Sequence, residues 1–247
     1  MLLVDDVTVS FAGFKALDGL QLAIAKGTLH CIIGPNGAGK STLMDVITGR
    51  VRPLMGRVLI DGHFDCTRHA PWQIAAAGVG RKFQRPTVFE NLTVEQNLKL
   101  AMQEPRSLLG IFRGQTAGMG DAHVDDIIER IGLQPQWRHQ AGTLAHGQKQ
   151  WLELGMLLAQ RAKVLLVDEP VAGMTSGEMA RTASLLMGLK GSHTIVVVEH
   201  DMAFVRSIAT LVSVLHQGRL LAQGTMAELQ DNAEVRAVYL GAEDVMA

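Results

Sequence analysis

The feature that most constrains this chain is a glycine-rich stretch between a short apolar run and a helix-like segment. Leu29–Ile33 precedes the stretch and the apolar-periodic Leu43–Ile47 follows it. The stretch matches G-x-x-x-x-G-K-[ST], in which backbone N–H groups surround phosphate oxygens at the start of a helix. Its residues are Gly34, Pro35, Asn36, Gly37, Ala38, Gly39, Lys40, Ser41 and Thr42. The alternative, a chance glycine-rich turn, does not explain the flanking strand and helix, so we predict a nucleoside triphosphate site.

Two side chains of this loop have predicted roles. Lys40 supplies a point charge for the β- and γ-phosphates. The Ser41 hydroxyl is expected to be a ligand for Mg²⁺, which prefers oxygen donors. ATP and Mg²⁺ are therefore the expected cofactors.

Composition narrows the class of protein further. The chain has 247 residues, of which 47 % are hydrophobic, and a net charge of −1. A buried core is expected, whereas nucleic-acid binding is not, because such proteins usually carry a basic excess. The two cysteines lack the spacing of metal ligands. We expect a reducing, cytosolic compartment. We expect no signal peptide and no membrane span, so any membrane role is peripheral.

The pattern of elements predicts an α/β fold. We predict strands at Leu2–Phe11 and Leu20–Ile24, separated by a turn. Beyond residue 163, strands at Val164–Asp168, Thr194–Glu199 and Leu211–His216 alternate with helices, which indicates a buried parallel sheet. The expected single domain, 1–247, has a core lobe at about 1–84 and 162–247 and an α-helical insertion at about 85–161.

Two carboxylates end one of the predicted strands. Asp168 and Glu169 follow Val164-Leu-Leu-Val, and the carboxyl edge of a parallel sheet faces the ligand crevice. We predict that Asp168 holds Mg²⁺ and that Glu169 polarises the attacking water. A helix that begins near Gly147 offers a second group of exposed N–H donors.

Four motifs in this order resemble the ATP-binding cassette (ABC) ATPases, members of the P-loop NTPases. They are the phosphate loop, Leu144–Gln148, Leu166-Val-Asp-Glu-Pro170 and Val198-Glu-His-Asp201. The resemblance covers nearly the whole chain. It implies a RecA-like parallel-sheet core, an antiparallel β subdomain and the helical insertion.

The resemblance also implies roles for individual residues. Phe11, with Phe14 as the second choice, is expected to stack on adenine. Gln84 is expected to contact Mg²⁺ and the attacking water and to link the site to a membrane partner, and His200 to contact the γ-phosphate. The loop Ala172–Thr175 is expected to contact the partner's active site. The signature expected to close over ATP on the opposite subunit consists of Leu144, Ala145, His146, Gly147 and Gln148.

The signature departs from the usual Leu-Ser-Gly-Gly-Gln. Ala145 replaces the serine and His146 the first glycine. Loss of a hydroxyl that bonds a charged phosphate costs about 1.5–3 kcal/mol. We therefore expect an asymmetric dimer, in which the ATP site that this signature completes is weakened.

Three segments resemble the ATPase subunits of urea importers, relatives of the branched-chain amino-acid importers. They are Phe83–Val94, the run from His146 to Glu153, and Val171–Thr175. The resemblance implies a second ATPase subunit in a hetero- or homodimer, two membrane permeases and, indirectly, a periplasmic binding protein. The chain would then be peripheral at the cytoplasmic face of the inner membrane. The expected cargo is urea or short amides; the alternatives are a branched-chain amino-acid importer ATPase and a soluble ABC ATPase outside transport.

Overall fold

The computed structural model describes residues 1–82, 87–102 and 120–240. The chain divides into two compact units, which are described separately. The first comprises 1–81, 163–170 and 186–247, and the second comprises 82–162 and 171–185. The lobe limits expected from the sequence stay a prediction.

The helices and strands of the described residues are as follows. The strands are β1 Leu2–Phe11, β2 Phe14–Ile24, β3 Leu29–Ile33, β4 Met55–Ile60, β5 Phe64–Asp65, β6 Val79–Lys82, β7 Val164–Asp168, β8 Thr194–Val198, β9 Leu211–His216 and β10 Arg219–Gly224. The α-helices are α1 Lys40–Ile47, α2 Pro71–Ala76, α3 Val94–Ala101, α4 Gly120–Ile131, α5 His146–Ala159, α6 Ser176–Leu189, α7 Met202–Ile208, α8 Met226–Asp231 and α9 Ala233–Leu240. None of these helices combines the length and apolar character needed to cross a bilayer.

A six-stranded sheet in the order β10-β9-β3-β8-β7-β6 forms the centre of the first unit. Strands β9, β3, β8 and β7 are parallel neighbours. Every residue of β3 and β8 is buried, as expected for a parallel sheet covered on both faces. The three strands predicted beyond residue 163 are confirmed, with β8 ending one residue earlier than expected.

A four-stranded antiparallel sheet, β2-β1-β4-β5, shares a hydrophobic core with the larger sheet and with α1. Helix α1 contributes Leu43, Met44 and Ile47, which are fully buried. Their i, i+1, i+4 spacing places them on one face of the helix. The helix that follows the glycine-rich loop is therefore anchored by its apolar side, and its first turn is left at the surface.

The hairpin of β1 and β2 corrects one sequence-based boundary. Strand β2 begins at Phe14, six residues before the predicted start at Leu20. Asp18 and Gly19 together oppose the single residue Thr8, because the register shifts between the pairs Val9↔Leu17 and Val7↔Leu20. This β-bulge breaks the alternation of buried and exposed residues, so the pattern stops short of the true strand.

In the second unit, α3 and α4 pack against α5. Gly155 lies on α5 where the three helices meet. A Cβ atom at this position would lie 2.8 Å from Ile131 Cδ1 and 3.2 Å from Leu98 Cδ2. The absence of a side chain therefore sets how closely the helices approach.

Candidate active site

The register of three parallel strands gathers most of the predicted site residues at one edge of the sheet. Ile32 of β3 and Asp168 of β7 both pair with Val198 of β8. Beyond this row, the glycine-rich loop begins after β3, Glu169 follows β7 and His200 lies two residues after Val198. The carboxyl ends of parallel strands are where open α/β sheets bind ligands.

Close backbone contacts fix the glycine-rich loop. A Cβ atom on Gly34 would overlap the Leu215 carbonyl oxygen. A Cβ atom on Gly39, where φ is 101°, would lie 2.5 Å from the Ala16 carbonyl oxygen. Glycine is required at both positions, because any side chain would displace the backbone. The hairpin residues Ala16 and Leu17 therefore adjoin the loop.

Lys40 begins α1 and folds back over the loop. Its Nζ donates hydrogen bonds to the carbonyls of Gly34, at 2.6 Å, and Pro35, at 2.9 Å. Burial lowers the pKa of Lys40, and the nearby carboxylates of Glu169 and Asp168 oppose that shift. The exposed Ser41 stands beside it in the first helical turn. An ammonium group, a hydroxyl and a helix N-terminus thus face the space beyond the sheet edge, where a phosphate would be stabilised.

An arginine ties the first carboxylate of the strand end to the loop helix. Arg81 Nη2 lies 3.1 Å from Asp168 Oδ2, and Arg81 Nη1 lies 2.6 Å from Asp45 Oδ1 on α1. Sequence reasoning missed Arg81. Arg81 and Lys82 are adjacent cations among glycine, valine and phenylalanine at 78–83, a pattern that marks candidates for ion pairs but does not identify their partners.

The second carboxylate faces the histidine that follows β8. Glu169 has φ = 43° and its N–H donates to the Val198 carbonyl at 2.9 Å. Left-handed backbone is uncommon for non-glycine residues and concentrates at functional sites. His200 Nδ1 lies 3.6 Å from Glu169 Oε1. The buried Glu199, a residue that sequence reasoning left unassigned, accepts hydrogen bonds from the N–H groups of His200 and Asp201 and so fixes the turn that carries His200.

The two candidate adenine-stacking residues are paired across the β1–β2 turn. Phe11 and Phe14 are opposite each other in the ladder and are both exposed, with 50 % and 65 % of their surface accessible. Phe14 precedes Ala16, which contacts the glycine-rich loop. Both rings are therefore free to stack on a ligand next to that loop.

The signature lies at the start of α5 in the second unit. Ala145 occupies the N-cap position, and its N–H donates to Gln148 Oε1 at 3.0 Å. Alanine has no side-chain oxygen, so the reciprocal bond of a capping box is missing. Gln150 fixes the imidazole of His146, because its Nε2 lies 3.0 Å from His146 Nε2. Leu144 is buried, whereas Ala145 and His146 are exposed.

Gly147 and Gly173 border the exposed surface of the signature. A Cβ atom on Gly147 would lie 2.6 Å from Glu178 Oε1, and one on Gly173 would lie 4.0 Å from the His146 ring. The loop Ala172–Thr175 thus adjoins the signature within this unit. Gln84, the remaining predicted residue, lies outside the described residues.

A glycine-rich loop before a helix, with carboxylates and a histidine at the ends of parallel strands, defines a P-loop nucleotide-binding protein. Residues 17–172 match the family described as ABC transporter, and residues 219–245 match the family described as branched-chain amino acid ATP-binding cassette transporter. The chain belongs to the ABC transporter family, as an ATP-binding ATPase subunit.

Two relatives match over almost their whole length. The chain is 32 % identical to the high-affinity branched-chain amino acid transport ATP-binding protein BraF of Pseudomonas aeruginosa, covering 96 % of each chain. It is 33 % identical to LivG of Escherichia coli, which has the same description, covering 98 % of each chain. Membership of this importer group is confirmed, whereas the relatives' names do not support the narrower urea branch.

Solved structures confirm the predicted fold class. A nucleotide-free ATP-binding cassette from an ABC transporter superposes with a TM-score of 0.82 at 30 % identity, covering 97 % of this chain and 98 % of the other. The ADP conformation of an ATP-binding cassette of an ABC transporter gives a TM-score of 0.81 at 29 % identity, covering 98 % of each chain.

Proposed function

We propose that this chain binds and hydrolyses ATP to drive an importer, and that the row of strand ends in the first unit is its active site. The observation that carries the proposal is the shared register of Ile32, Val198 and Asp168. That register brings the phosphate loop, the carboxylate pair and His200 to one edge. Phosphoryl transfer depends mostly on positioning and charge stabilisation, and these groups supply both.

The donor set fits Mg²⁺ that arrives with the nucleotide. Ser41 and Asp168 offer oxygen ligands at the same edge, and the described residues contain no cluster of three or more metal-ligating side chains. Mg²⁺ is typically held by one or two protein oxygens plus substrate phosphates. Ser41 and Asp168, with Gln84, would hold the ion, which when bound neutralises charge on the phosphates.

The other side chains bind and orient the reactants. Lys40 and the loop N–H groups hold the phosphates, and Phe11 or Phe14 stacks on adenine. Glu169 accepts a hydrogen bond from the attacking water and withdraws its proton. His200, 3.6 Å from Glu169, reaches the γ-phosphate from the adjacent loop. Glu169 thus acts on the attacking water and His200 on the γ-phosphate that the water attacks, each from the end of a different strand.

We infer that the signature acts on a second ATPase subunit. Leu144–Gln148 presents the exposed N-terminus of α5, which favours an anion. Ala145 lacks the hydroxyl of the usual serine, and the loss of this hydrogen-bond donor weakens the contact with ATP on the partner subunit. An importer with two different ATPase subunits beneath two permeases, fed by a periplasmic binding protein, accommodates this asymmetry. The chain would lie at the cytoplasmic face of the inner membrane.

Branched-chain amino acids are the cargo that the names of the relatives favour. Urea or a short amide is the second candidate, favoured by the motif likeness of Phe83–Val94 and Val171–Thr175. The ATPase does not contact the cargo, so the cargo must be identified by measuring transport.

The test is uptake of labelled leucine and labelled urea by the native host carrying Lys40→Ala, with the exposed Lys26→Ala as a matched control. Loss of leucine uptake alone supports the branched-chain importer, and loss of urea uptake alone assigns the second cargo. If Lys40→Ala changes neither, the importer function is wrong, and a soluble ABC ATPase becomes the better assignment.

A further inference from the structure

Arg81 joins two carboxylates from different elements of the active site. The side chain is only 8 % exposed, and its two terminal nitrogens contact Asp45 Oδ1 and Asp168 Oδ2. Asp168 is 13 % exposed. A planar guanidinium suits this bridge, because its N–H donors point in fixed directions.

The positions of the two carboxylates relate the bridge to the phosphate loop. Asp45 lies four residues after Ser41 on α1, so the two side chains share one face of the helix. Asp168 ends β7, and β6, which carries Arg81, is the neighbouring strand. Arg81 therefore fixes the strand-end carboxylate relative to the helix that presents the Ser41 hydroxyl.

The bridge leaves part of Asp168 available. Arg81 contacts Oδ2, and Oδ1 accepts no hydrogen bond from the described residues. A carboxylate held by one oxygen can offer the other in a fixed direction. Partners of this kind commonly orient metal ligands, and their loss lowers metal affinity about 10- to 100-fold.

We propose that Arg81, anchored by Asp45, is a positioning residue that aims Asp168 at the Mg²⁺ of the bound nucleotide. This inference rests on the proposed function, in which Asp168 belongs to the Mg²⁺–nucleotide site. Asp45 thereby acts indirectly, by holding the guanidinium that orients Asp168.

Charge alone predicts a different behaviour. The trio Asp45, Arg81 and Asp168 carries a net charge of −1. Arg81→Gln makes it −2 and should strengthen cation binding, whereas Asp45→Asn makes it 0 and should weaken it. If positioning dominates, both substitutions weaken cation binding, because Arg81→Gln removes the guanidinium and Asp45→Asn replaces a charge-assisted hydrogen bond with a weaker, uncharged acceptor. The two variants therefore separate orientation from electrostatics.

The experiment measures the dissociation constant of a fluorescent non-hydrolysable ATP analogue in Mg²⁺ and in EDTA. The readout is the dissociation constant in EDTA divided by that in Mg²⁺. A larger ratio means a larger contribution of Mg²⁺ to nucleotide binding, and the measurement needs no turnover. We expect the ratio to fall about tenfold in Arg81→Gln and in Asp45→Asn, with EDTA binding unchanged as the control for folding. Arg81→Lys keeps the charge but not the planar fork, so its ratio should fall as well.

Asp168→Asn separates this inference from the proposed function. If it leaves the Mg²⁺ ratio unchanged, the assignment of Asp168 to the site is wrong. If it lowers the ratio while Arg81→Gln and Asp45→Asn do not, only the positioning role is overturned. A higher ratio in Arg81→Gln with a lower one in Asp45→Asn overturns it too, in favour of charge.

Discussion

The Nδ1 atom of His200 lies 3.6 Å from Oε1 of Glu169, although the two residues follow different strands. The imidazole is 68 % exposed, whereas the Glu169 side chain is 27 % exposed. The imidazole therefore has more open space on the ligand side than the carboxylate has. The Glu169 main chain is held at the strand end, since its N–H donates to the Val198 carbonyl.

The first prediction concerns Glu169. Glu169→Gln keeps the shape of the side chain but removes its capacity to accept a proton. We expect turnover to fall about 10²- to 10⁴-fold, with little change in ATP affinity. The rate of phosphate release measures turnover, and a nucleotide-binding titration measures ATP affinity. Glu234→Gln, an exposed change on α9, is the control; a normal rate in Glu169→Gln would remove Glu169 from the reaction.

The second prediction concerns the cap of α5. Ala145 has φ = −60° and ψ = 159°, the extended conformation that a capping serine adopts. Ala145→Ser should stabilise the chain by about 0.5–2 kcal/mol in urea unfolding. If the signature contacts ATP on a partner, turnover of the assembled importer should also rise, because the serine restores a phosphate contact.

The control for that experiment is Ala145→Gly, which is also tolerated at an N-cap but adds no hydroxyl. Equal turnover by the serine and glycine variants would contradict the role of the missing hydroxyl. Equal occupancy and hydrolysis at both ATP sites of the native dimer would contradict the proposed asymmetry itself.

The third prediction is a pH dependence of stability that arises from His30. His30 is fully buried on β3; its Nε2 lies 2.8 Å from Ser213 Oγ, which also accepts a hydrogen bond from Gln223. Burial lowers the pKa of His30 from its ordinary 6.5 to about 4. The unfolded chain therefore binds this proton first as the pH falls. Stability is retained above pH 6.5 and lost toward pH 4, at about 1.4 kcal/mol per pH unit.

Urea unfolding between pH 7.5 and 5 measures this slope. His30→Gln keeps a polar group beside Ser213 but cannot titrate, so the difference in slope between the two proteins isolates His30 from the carboxylates. We expect the variant to lose stability less steeply below pH 6.5. Parallel curves for the two proteins would contradict the lowered pKa.

The fourth prediction tests helix packing in the second unit. Gly155→Ala places a methyl group 2.8 Å from Ile131 Cδ1, and such overpacking costs about 1–3 kcal/mol. Gly177→Ala on α6 meets nothing within 4 Å and should stabilise by about 0.4–1 kcal/mol. The free energies of unfolding of the two alanine variants should shift in opposite directions. A shift in the same direction would mean that the helices do not approach closely at Gly155.

Most of the parallel sheet could be predicted from local patterns, because β3, β7, β8 and β9 are short runs of buried apolar residues. The phosphate loop was equally readable, since Gly34, Gly39, Lys40 and Ser41 have the fixed spacing of the motif. The bulge at Asp18 and Gly19 could not be read in this way, because it interrupts the alternation on which strand prediction depends. Strand β10, at Arg219–Gly224, was missed, since its residues are mixed in character and only one of the six is buried.

The candidate site shows the same division between local and tertiary information. Asp168 ends β7 and Glu169 follows it, so the predicted topology placed this pair at the ligand edge, whereas the role of His200 was implied by the family resemblance. Arg81 contacts Asp45 and Asp168, which are 36 and 87 residues away along the chain, and no local pattern reports such a bridge. Glu199 was passed over because a carboxylate that accepts backbone N–H groups looks like any charged residue at a strand end.

The row of Ile32, Val198 and Asp168 has a consequence for how this protein loses activity. These residues lie on β3, β8 and β7, at the centre of the sheet, where amide hydrogens exchange with solvent only through the largest opening events. Fraying of β10, α8 or α9 leaves the pairing of the three strands intact. We therefore expect the chemical groups to stay aligned through partial unfolding and to be lost together with the sheet itself.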